Sequence, residues 1–230
     1  MNIHLIYRKE QTETPIEFTV RRMVNAGFTG RDQEEVKHHL TELAAKGVTV
    51  PDETPVMYPV LPKALSLAPE VEVYGTETSP EIEYVLLVDE EERIYVGIGS
   101  DHTDRNLELH DIPRAKQICP NLISRYVWDL ADVKGHWDRL SMKCTVQKNG
   151  EQMLYQEGNL GLLMAPDELT ALVSEKVKGD LAGTVIYSGT VKMETDGFVY
   201  ADSCTCELVD PVLERSLGFS YDVFPMNYMG

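Results

Sequence analysis

Residues 81–88 read Glu81-Ile82-Glu83-Tyr84-Val85-Leu86-Leu87-Val88, two glutamates one residue apart opening an apolar run. The run has the length of a strand and little polar interruption, which predicts a buried strand. Residues two apart on a strand project from the same face, about 6–7 Å from each other at the root. Two carboxylates placed so can converge on one hard cation; without a cation they repel, and one of them keeps its proton. Taken alone, the pattern also fits two solvated glutamates on an exposed strand face.

The next apolar segment, Tyr95-Val96-Gly97-Ile98-Gly99, leads into Ser100-Asp101-His102-Thr103-Asp104-Arg105. Asp101 stands where a strand ends, a usual position for a ligand, and residues 100–110 are expected to be helical. Arg105 lies one turn beyond and can reach the same region or pair with a carboxylate. Gly97-x-Gly99 is too short for a dinucleotide fingerprint, because the remaining glycine and the acidic ribose-binding position are missing.

Strand signals continue in both directions. Residues 3–7 and 16–20 alternate as a hairpin pair, and Asp32 is placed to cap a helix over 33–46 that Gly47 stops. Further strands are expected at 71–74, 139–146, 151–156, 184–188, 198–200 and 203–209, with a turn at Asn149-Gly150 and a helix opening at Pro166. Pro51, Pro55, Pro59 and Pro62 mark the plausible boundary, separating residues 1–62 (strands and a helix) from a β-rich body over 63–230. Many strands and few helices give an α+β class.

The 230 residues carry 21 Lys+Arg against 38 Asp+Glu, a formal charge of −17, which disfavours binding along a nucleic-acid backbone or to an anionic membrane. A local cation can still invert the field of a site, so a small acidic substrate is compatible with that charge. No apolar stretch approaches the length of a membrane span. Cys119, Cys144, Cys204 and Cys206 form no CxxC pair and read as buried reduced thiols, so a cytoplasmic protein is expected.

Three more places bear chemistry-capable residues. His39 and Glu42, three apart on the predicted helix, share a face; a carboxylate beside an imidazole fixes its tautomer and raises its basicity, as a water-activating base requires. His38 with Glu42 is a competing pair, and a plain surface contact is the alternative. Lys116 follows the predicted helix as a lysine that solvation alone would explain. Ser188-Gly189-Thr190 ends an apolar strand, and its glycine would let backbone amides approach a small ligand.

In order, these segments resemble the fumarylacetoacetate hydrolase superfamily. Glu81-Ile82-Glu83 is similar to its Glu-x-Glu metal motif, and Ser100 to Arg105 to its Asn-Asp-x-Ser-x-Arg element, with Ser100 in place of Asn and Glu108 where Gln is common. Residues 179–190 resemble its closing strand, and Asp210-Pro211-Val212-Leu213-Glu214-Arg215 suggests an uncharacterised branch. The resemblance implies a mixed-sheet β-roll of the fumarylacetoacetase C-terminal-domain type with a small N-terminal lid, and a homodimer. It implies Mg²⁺ or Mn²⁺ on Glu81, Glu83 and Asp101, with Lys116, Arg105 and the His39–Glu42 pair as catalytic groups. Arg105 and Ser188 to Thr190 would hold the substrate. The expected activity is hydrolysis of a carbon–carbon bond in a small β-keto or enol acid. A decarboxylase or keto–enol isomerase on the same metal site is the alternative, and so is a binding protein that kept the fold.

Overall fold

The structure is a computed structural model that describes residues 1–45 and 50–228; the side chains of residues 39 and 42–45 lie outside the described residues. The first third comprises β1 (Asn2–Lys9), β2 (Thr12–Thr19), β3 (Arg22–Gly27), α1 (Gln33–Ala45), β4 (Val56–Val60), β5 (Leu65–Ser66) and β6 (Glu70–Val73). The middle comprises β7 (Thr78–Ser79), β8 (Ile82–Val88), β9 (Ile94–Asp101), β10 (Thr103–Asp104), α2 (Arg105–Glu108), α3 (Ile112–Ile118), β11 (Asn121–Ile123), β12 (Tyr126–Asp129) and α4 (Leu130–Val133). The last part holds β13 (Ser141–Lys148), β14 (Glu151–Asn159), α5 (Pro166–Lys176), β15 (Thr184–Tyr187), β16 (Ser203–Asp210) and β17 (Arg215–Pro225).

Ten strands form one sheet in the order β2-β1-β12-β9-β8-β15-β3-β4, with β11 beside β9 and β5 beside β11. Most pairs are antiparallel, while β1–β12, β3–β15 and β5–β11 are parallel, so the sheet is mixed. A second sheet runs β14-β13-β16-β17-β6. The fold class is α+β. Strands from residues 1–62 and from 63–230 interleave in the large sheet.

The large sheet curls. Phe18 on β2 and Val60 on β4, at opposite ends of the strand order, share one buried cluster with Leu87 and Tyr187 from its middle. Strand twist accumulated over many strands gives this closure. The other face of the sheet, through Ile82, Tyr84 and Leu86, packs on Cys144, Cys206, Leu208 and Tyr221 of the second sheet. β8 is therefore buried on both faces, which is why its apolar residues run without alternation.

The Asn149-Gly150 turn forms as expected: both residues have positive φ (51° and 84°), and Lys148 pairs with Glu151 across a two-residue hairpin loop. Three local expectations are corrected. Residues 100–104 are extended rather than helical, because Thr103 and Asp104 pair with Ser79 and Thr78; Asp104 then caps the short α2 by accepting from Leu107 N at 2.9 Å. Residues 198–200 form no strand. β17, which the sequence reading passed over, is an eleven-residue interior strand of the second sheet, pairing with both β16 and β6. Among the described residues, no helix is long and apolar enough to cross a membrane.

Candidate metal centre

β8 and β9 are antiparallel neighbours, with Glu83 opposite Gly99 and Asp101 N donating to Glu81 O at 3.0 Å. Glu81, Glu83, Gly99 and Asp101 thus share one face by alternation. Gly99 is required there: a Cβ would sit 2.7 Å from Leu122 O, Tyr187 Cε1 and Val85 Cγ2. The result is three carboxylates, one oxygen of each within 4.8 Å of the others, at the rim of the concave face. Glu83 and Asp101 are buried, and the Glu81 side chain is 15% exposed.

Two cations close on this trio. Lys116, in the last turn of α3, places Nζ 2.6 Å from Glu81 Oε2, 2.6 Å from Asp101 Oδ2 and 3.4 Å from Thr103 Oγ1. Arg105 donates through one terminal nitrogen to Glu81 Oε1 at 2.9 Å and Glu108 Oε2 at 2.7 Å, and through Nε to Ser79 Oγ at 2.7 Å. Burial would raise the Glu81 pKa, but Lys116 and Arg105 overcome it and hold the group at about 2. Glu83 is pushed well above the usual carboxylate range by burial, then by the Asp101 charge. Asp101 is also raised, again by burial first, although Lys116 opposes the shift. Lys116 itself is driven up: burial disfavours its charge, yet Asp101 and Glu81 outweigh burial.

The donor set fits a divalent cation. Glu81, Glu83, Asp101 and Glu108 are four carboxylates against the two cations Lys116 and Arg105, and one divalent ion makes up the missing charge. Asp101 Oδ1 is buried and accepts no hydrogen bond. Oxygen-only donors suit Mg²⁺ or Mn²⁺ better than Zn²⁺.

Ser188-Gly189-Thr190 meets the trio from behind. Gly189 N donates to Glu83 Oε2 at 2.7 Å, and Thr190 Oγ1 donates to Ile82 O at 2.8 Å. Gly189 has φ of +87°, and a Cβ would collide with Thr29, whose hydroxyl donates to Ser188 O at 2.5 Å. Thr29 precedes α1, so the root of that helix is tied to the strand end that supports Glu83. The side chains of His39 and Glu42 lie outside the described residues. The histidine adjacent to Asp101, His102, turns to the opposite face, where its ring meets Tyr221 OH at 3.0 Å and Thr78 Oγ1 at 2.9 Å.

Four residues had escaped the sequence reading. Gln156 accepts from Ile82 N at 3.0 Å and donates to Thr190 Oγ1 at 2.8 Å and Val191 O at 2.7 Å, clamping β8 to the 190–191 loop. Phe198 lays its ring 4.4 Å from the Arg105 guanidinium. Asn25 and Asn121 are buried beside Asp101. The signal available for the amides was a lone polar residue within an apolar run, as in Met23-Val24-Asn25-Ala26.

The sequence profile of DUF2848, described as a protein of unknown function, matches residues 26–221. No curated protein matches the chain. Similar solved structures include Cg1458 with an inhibitor, at TM-score 0.65 and 19% identity over 97% of this chain and 89% of that one. Yeast ynq8, a fumarylacetoacetate hydrolase family protein, aligns at TM-score 0.60 and 15% identity over 90% of this chain and 94% of that one. A 2-keto-3-deoxy-D-arabinonate dehydratase complexed with magnesium and 2,5-dioxopentanoate aligns at TM-score 0.62 and 15% identity, covering 94% of this chain and 78% of that one. The chain has the fold of these proteins.

Proposed function

The chain belongs to the DUF2848 family, and we propose that it is a divalent-metal enzyme that hydrolyses a carbon–carbon bond in a small β-keto or enol acid. The observation that carries this reading is the trio of the part-buried Glu81 with the buried Glu83 and Asp101, one oxygen of each within 4.8 Å of the others and their charge only part-balanced by Lys116 and Arg105. Glu81, Glu83 and Asp101 would hold a divalent ion, which would supply Lewis-acid polarisation to a bound oxo acid. Lys116 adds positive charge where the enolate oxygen develops. Arg105 fixes Glu81, and Gly189 N fixes Glu83, so two of the three ligands are oriented before substrate arrives. His39, oriented by Glu42, takes a proton from water; the hydroxide adds to the acyl carbon, the C–C bond breaks, and its electron pair enters the enolate. The proton then passes to the enolate carbon, which balances the hydrolysis.

A lyase or isomerase is the second reading. It shares the enolate and needs no water-activating base. It is supported by the likeness in fold to a 2-keto-3-deoxy-D-arabinonate dehydratase complexed with magnesium.

Enolate formation is tested without knowing the substrate. Chelator-stripped protein is titrated calorimetrically with Mn²⁺, and the loaded protein is then incubated with pyruvate in D₂O. The expected result is saturable Mn²⁺ binding and deuterium entering the methyl group, with both lost in Glu81→Gln/Glu83→Gln. Binding heat that is absent, or identical in the double variant, overturns the metal centre. Metal binding without exchange for any small oxo acid favours a binding protein.

A further inference from the structure

We propose that this site takes a singly charged oxo acid bearing hydroxyl groups and turns away acids with a second carboxylate, and that Glu108, Asn25 and Asn121 set the choice. The inference rests on the reading of the centre as a metal-dependent enolate site and names its substrate class.

Arg105 is fully engaged within the protein. Its side chain is 5% exposed, and four hydrogen bonds engage it: Glu81, Glu108, Ser79 and, at 3.4 Å, Pro80 O. Phe198 covers the guanidinium face. Glu108 therefore cancels a charge that would otherwise be available to a substrate carboxylate. Lys116 is equally committed, with Glu81, Asp101 and Thr103 around its ammonium. Once a divalent ion joins the four carboxylates and two cations, the centre is neutral. A carboxylate chelated beside a keto oxygen is accommodated by the ion. A second carboxylate finds Arg105 and Lys116 already paired and meets Glu108, which is part-exposed beside Arg105.

The amides carry an independent argument. Asn25 on β3 and Asn121 on β11 are 1% and 0% exposed, and none of their four side-chain polar atoms makes a hydrogen bond within the protein. Asn121 is the cross-strand partner of Asp101 and shares its face. The Asn25 amide lies against Asp101 and eases its charge without forming a full hydrogen bond. Buried amides without partners are rare and unfavourable. Each offers a donor and an acceptor and carries no charge, which is the complement of a hydroxyl. An alkyl tail leaves both halves unpaired, and a carboxylate sets oxygen against the amide oxygen.

The test uses three acids of one chain length: 5-hydroxy-2-oxopentanoate, 2-oxopentanoate and 2-oxoglutarate, ending in hydroxyl, methyl and carboxylate. Each is titrated into Mn²⁺-loaded protein. The hydroxy acid is expected to bind at least about tenfold more tightly than either relative, a difference of one hydrogen bond or one uncompensated charge. Glu108→Gln, with Mn²⁺ binding checked first, is expected to tighten 2-oxoglutarate binding about tenfold. Asn121→Leu is expected to bring the hydroxy acid down to the affinity of 2-oxopentanoate. If the methyl acid binds as well as the hydroxy acid, the amides hold internal water only and the assignment fails. If 2-oxoglutarate binds best in the native protein, the charge argument fails while the metal centre stands. If the loaded protein binds none of the three, or Mn²⁺ itself is not bound, the inference and the enolate reading fall together.

Discussion

Lys116 Nζ lies 2.6 Å from Asp101 Oδ2 with both residues buried, so an ammonium stands among the carboxylates proposed to hold a metal. The ammonium and a divalent cation answer the same negative charge. Lys116→Met is therefore expected to destabilise chelator-treated protein by about 3–5 kcal/mol, the cost of stripping one partner from a buried pair. Mn²⁺ should restore most of that loss and raise Tm more in the variant than in the native protein. Thermal melts with chelator and with Mn²⁺ measure both. An equal rise in the two proteins shows that the lysine and the metal do not share a field.

Glu81 and Glu83 sit two residues apart but in opposite electrostatic settings. Two cations hold Glu81 ionised, whereas burial and Asp101 favour the protonated form of Glu83. In chelator, Glu81→Gln should cost about 3 kcal/mol because Lys116 and Arg105 lose a counter-charge. Glu83→Gln should stay within about 1 kcal/mol of the native protein, since a neutral amide still accepts from Gly189 N. Denaturant melts of the two single variants decide this; similar losses in both would show that the trio shares its charge evenly.

The convergence of Glu81, Glu83 and Asp101 was legible because each step is local. Period-two alternation sets two glutamates on one face, and Asp101 closes the adjacent antiparallel strand. Arg105 was legible only as a choice: the sequence left it between a carboxylate and a substrate, and the fold turns it to Glu81, Glu108 and Ser79. Ser188 to Thr190 was read as a strand-end turn or a ligand contact, and the fold sets Gly189 N against Glu83. Asn25 and Asn121 meet the site through pairing of β3 with β15 and of β11 with β9, and Gln156 through side-chain bonds to Ile82, Thr190 and Val191; no local pattern encodes those contacts. β17 does alternate, with Leu217, Tyr221 and Val223 buried, but Gly218 and Pro225 disguise it as loop.

Asp210 anchors the end of β16 away from the metal centre. It is buried and accepts from Val212 N, Leu213 N, Arg215 Nε and His136 Nε2 at 3.0–3.1 Å. Burial alone would raise its pKa, but these donors prevail and lower it below 3.8. A lowered carboxyl stabilises the fold above its unfolded pKa, and the contribution fades as pH falls through the folded value. Asp210→Asn should therefore cost about 3 kcal/mol at pH 7, with the gap to the native protein narrowing steadily below pH 3.8. Urea melts at pH 7 and pH 3 test this, and a gap that widens in acid would reverse the assigned sign.

Hydrolysis and the reactions that stop at the enolate part company at the water. α1 places positions 39 and 42 one turn apart; Thr29 ties the root of that helix to the strand end behind Glu83 through Ser188 O, and Gln33 ties its first turn to the preceding loop through Phe28 O and Gly30 O. If His39 deprotonates water, His39→Ala removes a step that follows binding and enolisation. C–C hydrolysis of an acylpyruvate should then fall about a hundredfold or more, while deuterium exchange into the same acid stays near the native rate. Loss of both would place the residue in folding or substrate binding, and unchanged hydrolysis would take water activation away from this helix. Exchange that persists with no hydrolysis in either protein would favour the lyase or isomerase, because the enolate would then form at a centre with no route to attack by water.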